Sequence, residues 1–210
     1  MSMPGLREPA GQVARDAAAR SGLLDESQGY GLVSKVLHWV GGLMALLLFG
    51  VGTAVWFTSG SDSSHLHHRL SALHIALGGL FALPLLVRVL WRLSSVWAGR
   101  HPLPVPSQNG TRRLARTVQF GLLTMLTVLI VSGPLLRWWS GNPIELFGGW
   151  YIPNPLEDNK LLRVYTRAIH QRAWQIMAVL LVFHIGGALL HRRLSWQRMR
   201  WFDFRSRCQL

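Results

Sequence analysis

Four long apolar runs separated by short polar segments dominate the chain. Residues 36–57, 70–87, 117–136 and 173–190 approach or exceed the roughly 20 apolar residues that cross a hydrocarbon core as a helix. Their length and unbroken apolarity point to helices, not to half-buried strands. Helix one is expected to run from about Lys35, with Gly52 to Ser64 forming a short connection through Thr58, Ser59, Gly60 and Ser61. Helix two then returns, carries Pro84 late in its length, and ends at Arg88 and Arg92. The alternating prolines of His101-Pro102-Leu103-Pro104-Val105-Pro106 favour an extended linker. Helix three is expected from near Thr111 to Arg137, and helix four from about Leu161 to Arg192. Between them, Trp138 to Asn159 holds Gly141, Asn142, Pro143, Gly148, Gly149, Pro153 and Pro155, a density of turn formers that excludes a continuous helix. The fold class that follows is all-α, an integral membrane four-helix bundle. Residues 1–29 read as a flexible arm, 30–195 as the membrane domain and 196–210 as a basic tail.

Charge orients this bundle. The 210 residues carry a formal net charge of +13, which by itself would suit nucleic acid. The basic residues, however, are sorted by side. Arg7, Arg15, Arg20, Lys35, Arg88, Arg92, Arg100, Arg112, Arg113, Arg116 and the tail from Arg192 to Arg207 would share one face of the membrane. The other face keeps Arg69, Arg137, Lys160, Arg163, Arg167 and Arg172, alongside Asp62, Glu145, Glu157 and Asp158. The positive-inside rule then puts both termini in the cytoplasm, with anionic membrane lipids and no nucleic acid as the partners of the inner arginines. Trp138, Trp139, Trp150 and Tyr151 fit an aromatic belt at the outer surface. Residues 1–29 lack the apolar stretch of a cleaved signal peptide.

Within the spans the ionisable side chains are His38, His74 and His184, with His170 just ahead of the last run. Such residues at membrane depth mark function. His170 and His184 are fourteen residues apart, about 21 Å of helix rise and roughly 40° from alignment, so they face one side at two depths. From the topology, His74 and His170 lie near the outer ends of their helices. His38 lies near the inner end of helix one, and His184 about two turns before the inner arginines. Two pairs emerge, His74 with His170 and His38 with His184, each able to clamp one haem iron from facing helices. His191, seven residues beyond His184, shares its face and competes with it as the inner ligand. Gly42 and Gly78, four residues after His38 and His74, either make room for a flat macrocycle or serve ordinary close helix packing. His65, His67 and His68 form a cluster read as a solvated loop or, less simply, a metal site. The single cysteine, Cys208, allows no internal disulfide and no Cys-x-x-Cys-His attachment, so any haem is held non-covalently.

These residues resemble the bacterial cytochrome b561 family, particularly its superoxide oxidase branch, over about Tyr30 to Arg200. The resemblance rests on Ser34-Lys35-Val36-Leu37-His38-Trp39, on His74 followed by Arg88, on Gly141-Asn142-Pro143 with Phe147-Gly148, and on His170 with His184 and His191. It implies two haem b groups, ligated by His38 with His184 and by His74 with His170, which favours His184 over His191. It further implies an inner-membrane protein that takes single electrons from periplasmic superoxide and reduces ubiquinone. The outer basic residues Arg69, Arg137, Lys160, Arg163, Arg167 and Arg172 are candidates for steering the anion, against snorkelling or propionate pairing as their alternative. Arg88 and Arg92 are candidate propionate partners of the inner haem. No catalytic side chain beyond these is assigned.

A second function fits the same constellation: a cytochrome b that anchors a respiratory dehydrogenase or hydrogenase and passes its electrons to quinone. The Gly141-Asn142-Pro143 loop favours the superoxide reading. A haem-free proton or metal transporter is disfavoured, because the spans hold no carboxylate.

Overall fold

The computed structural model describes residues 22–25, 29–60, 64–99 and 109–190. Four helices carry it: α1 (Leu32–Thr58), α2 (Ser64–Trp97), α3 (Asn109–Trp138) and α4 (Lys160–Leu190). All four are long and apolar enough to cross a membrane. Large apolar side chains face outward along them, with Leu43 71%, Phe120 71% and Val182 72% exposed, an arrangement only lipid can solvate. The chain is therefore an all-α four-helix membrane bundle.

Two helix ends lie beyond their expected positions. Helix α1 continues through Gly52 to Thr58, so the connection is shorter than Gly52 to Ser64. Helix α2 starts at Ser64 and passes through Arg88 and Arg92 to Trp97, running through Pro84. At 34 residues it is about 51 Å long, against roughly 30 Å of hydrocarbon, so its polar ends continue the helix into the interfaces. His65, His67 and His68 accordingly sit on the first turns of α2 and not in a loop. His67 Nδ1 lies 3.2 Å from Thr58 Oγ1, joining the α1 and α2 ends.

Helix α1 packs along α2 and α3 along α4, while α2 and α3 meet less extensively. Leu85, Val89, Leu126 and Met177, from α2, α3 and α4, form the buried centre. Helices α1 and α4 come together chiefly through side chains. Trp174 of α4 stacks on Phe49 (centroids 6.0 Å apart) and lies tilted against Trp56 (5.7 Å) of α1, and its Nε1 donates to Thr53 Oγ1.

Each bundle end has its own fastening. At the start of α1 the Asp25 carboxylate, 4% exposed, accepts hydrogen bonds from Gly31 N–H (2.8 Å) and Ser34 Oγ (2.9 Å). Ser34 Oγ in turn accepts from Trp91 Nε1 of α2. A carboxylate suits the electropositive start of a helix, and it ties residues 22–25, the end of the expected arm, to the bundle. At the opposite end, Gly141 (φ 74°) terminates α3 in the left-handed region that favours glycine. The chain then forms a small antiparallel hairpin, β1 (Ile144–Glu145) with β2 (Tyr151–Ile152), turned through Gly148 and Gly149 at positive φ. Arg137 holds this hairpin, donating from Nε to Pro143 C=O (3.0 Å) and pairing through Nη2 with Glu145 (3.2 Å). Ile144 is buried, and it packs with Leu146 on Gly79 of α2, where a Cβ would stand 2.8 Å from each. Asn159 caps α4 by accepting from Leu162 N–H.

Candidate functional site

The four histidines meet in two pairs across the space between the helix pairs. The His38 and His184 ring centroids are 6.2 Å apart with planes at 63°. Those of His74 and His170 are 6.4 Å apart at 81°. Two imidazoles ligating one metal from opposite sides, each with a metal–nitrogen bond of about 2 Å, stand roughly 6 Å apart between centroids. Both pairs therefore have the spacing that axial ligation of one iron requires. His191 lies outside the described residues, as do His101, Cys208 and the basic tail. For convenience the His74–His170 level is called the hairpin side and the His38–His184 level the arginine side.

On the hairpin side, the hydrogen bonding of His170 is defined by a residue that sequence reasoning missed. Ser132 Oγ, in the last two turns of α3, lies 2.8 Å from His170 Nδ1 and donates to the Val128 carbonyl at 2.6 Å. With its single proton committed, the hydroxyl accepts from His170 Nδ1–H, which leaves the Nε2 lone pair for a metal. Gly133, the next residue, stands against His170, with a Cβ position 3.6 Å from Cε1. His74 is seated on Gly52, where a Cβ would be only 3.0 Å from Cε1. Its Nδ1 is buried and unpartnered, close to the Leu48 backbone but outside hydrogen-bond geometry.

On the arginine side, the Arg88 side chain lies across Gly41 and Gly42. A Cβ at Gly41 would stand 2.7 Å from its Cδ, and one at Gly42 would stand 3.8 Å from its Nη1. The room beside Gly42, one turn from His38, is thus bordered by a guanidinium. Gly78 meets only Leu48, at 4.0 Å, and leaves space open beside α2. Arg92 lies over the Tyr30 ring at 5.7 Å, and its Nη1 is buried without a hydrogen-bond partner.

Buried orphan donors therefore sit at both levels, Arg92 Nη1 on one side and Trp138 Nε1 on the other. Unmet buried polar groups are costly, and two donors with nothing to bind suit the carboxylate groups of a macrocycle. Facing imidazoles, glycines in close approach and orphan donors together fit haem. No group of three or more His, Cys, Asp or Glu residues able to hold a bare metal ion occurs among the described residues, the His65, His67 and His68 cluster included.

A sequence profile of the prokaryotic cytochrome b561 family matches residues 29–201. The chain belongs to the prokaryotic cytochrome b561 family. It is also 32% identical over 164 residues to cytochrome b561 homolog 2 of Escherichia coli (strain K12), covering 77% of this chain and 84% of that protein. As a cytochrome b561 it is a multi-pass membrane electron-transfer protein, and membership implies haem b.

The basic residues expected to steer an anion have different surroundings in this cytochrome b561. Arg137 is committed to Pro143 and Glu145, so it fastens the hairpin. Arg172 donates to Gln175 Oε1. Arg69, Lys160 and Arg167 are exposed and Arg163 is half-buried, all on the helix ends nearest the hairpin. Ser132, Trp138, Gly52 and Gly133 left only a faint mark in the sequence: a serine within an apolar run, a tryptophan at a helix end, and glycines that packing alone would explain.

Proposed function

We propose that this cytochrome b561 is a superoxide:ubiquinone oxidoreductase of the bacterial inner membrane, with two haem b groups stacked across the bilayer. His74 and His170 ligate one on the periplasmic hairpin side, and His38 and His184 the other on the cytoplasmic side. Both termini are cytoplasmic, following the sorting of the arginines. The observation that carries this reading is the pair of facing imidazoles at each of two levels, separated by the fourteen residues between His170 and His184.

When bound, the haem irons supply one-electron oxidation and reduction, which no side chain of this chain provides. The protein's part is to hold, orient and shield. Ser132 keeps His170 in the tautomer whose Nε2 is free, Gly52 and Gly133 let the backbone approach the two imidazoles, and Gly78 leaves room beside α2. Arg92 and Trp138 offer their buried N–H groups to propionates. Trp174, one turn beyond His170, packs against Phe49 and Trp56 on either side of Gly52 and so backs the His74–His170 level. Arg69, Lys160, Arg163 and Arg167 give the hairpin end a positive field that draws in an anion. In balance, two superoxide ions yield two electrons and two dioxygen molecules, and ubiquinone takes those electrons with two protons to become ubiquinol.

Haem quantification as the pyridine haemochrome, followed by rapid mixing with superoxide and a soluble quinone, tests this. Two haems per chain and quinone reduction that slows about tenfold as salt rises are expected, because steering of exposed charges is screened. Turnover unaffected by salt would remove the steering role from the hairpin-end arginines. Two haems without superoxide turnover, together with a dehydrogenase that co-purifies, would point to the anchoring subunit instead.

A further inference from the structure

Ser132 and Arg88 are non-ligand polar side chains that lie beside different histidine pairs. Ser132, 5% exposed, receives the His170 Nδ1–H because its own proton is held by Val128. An acceptor on the far nitrogen makes an imidazole a stronger electron donor, which favours the higher oxidation state of a bound metal. The opposing His74 has no side-chain acceptor on its Nδ1, which lies close to the Leu48 backbone. At the other level the Arg88 side chain lies along Gly41 and Gly42, one turn from His38, whose ring faces His184 at 6.2 Å. Among the described residues no carboxylate pairs with it, the only ion pair being Arg137 with Glu145. A fixed positive charge close to an iron held there would oppose the extra positive charge of the ferric state and favour ferrous.

We propose that Ser132 and Arg88 are positioning residues that build a potential step into the bundle, low at the His74–His170 haem and high at the His38–His184 haem. With haems bound at both levels, Ser132 and Arg88 would together make one-electron transfer from the hairpin side to the arginine side, toward the quinone acceptor, the downhill direction. This rests on the di-haem reading above and adds a direction to it.

Potentiometric titration of the purified, haem-loaded full chain, followed by haem absorption, tests the step. Two one-electron waves are expected, and the wave that disappears in His170→Ala must be the lower one. Ser132→Ala should raise that wave alone, with a change of up to about tenfold in the ferrous-to-ferric ratio, which for one electron is 59 mV. Ser132→Thr, which keeps the acceptor, should restore it. Arg88→Gln should lower the other wave alone, and Arg88→Lys should leave it in place. Should Ser132→Ala fail to load its haem, Ser132→Cys gives the same reading, since a thiol of similar size is a weak acceptor. Should Arg88→Gln fail to load, Arg88→Met, also uncharged, takes its place. Waves in the reverse order, or waves unmoved by both neutralising changes, overturn the step while leaving the di-haem reading intact. A preparation holding fewer than two haems defeats that reading itself.

Discussion

His74→Ala and His170→Ala are each expected to reduce the haem content from two per chain to one and to abolish superoxide oxidation. The residual haem should show the spectrum of the arginine side. The two imidazoles are 6.4 Å apart on facing helices, so on the proposed ligation removing either would leave only one protein ligand for an iron between them. Among the described residues no group of three or more His, Cys, Asp or Glu side chains could hold a metal in its place. His38→Ala and His184→Ala should give the complementary result: the hairpin-side haem stays, superoxide can still reduce it, and quinone reduction is lost. The haemochrome assay decides the count and single-turnover mixing decides which half-reaction survives. If all four variants keep two haems with unchanged spectra, the ligand assignment is wrong.

Gly52→Leu should remove the same haem as His74→Ala without touching any ligand. A Cβ at position 52 would stand 3.0 Å from His74 Cε1 and 3.4 Å from Nδ1, and the rest of a leucine needs space that the ring occupies. Overpacking of this type costs about 1–3 kcal/mol, and here the strain falls on the orientation of an imidazole. Gly50, two residues earlier on the same helix, has nothing within 4 Å of its Cβ position. Gly50→Leu is therefore the control and should retain both haems. Equal loading in the two variants would show that His74 does not depend on its seat against α1.

The histidine pairs were legible in the sequence because two long-range regularities converge on them. Helical period placed His170 and His184 on one face, and the depth of each run matched His74 to the former and His38 to the latter. The ends of the spans were less legible. Polar residues such as Thr58 and Arg88 read as exits from the helix, yet backbone hydrogen bonding continues past the hydrocarbon boundary, as the extension of α2 to Trp97 shows. Strands of two residues have no period to detect, so the Ile144–Glu145 and Tyr151–Ile152 hairpin could be read only as a turn-rich loop. Ser132 could not be assigned because its meaning depends on a partner thirty-eight positions away. Glycine has the same ambiguity: Gly42 and Gly78 were singled out by spacing, while Gly52 and Gly133, which touch the imidazoles, lie on the opposite helices.

Close backbone packing joins α1 to α2 and α3 to α4, whereas α1 and α4 meet through Trp174 and the facing imidazoles. On the proposed ligation each haem would be a cross-brace between two helical hairpins, adding to the α2–α3 contact and the Leu85, Val89, Leu126 and Met177 centre that also join them. Cells starved of iron or porphyrin should accumulate a chain inserted in the bilayer but looser where α1 faces α4, and more open to membrane proteases until the missing braces arrive.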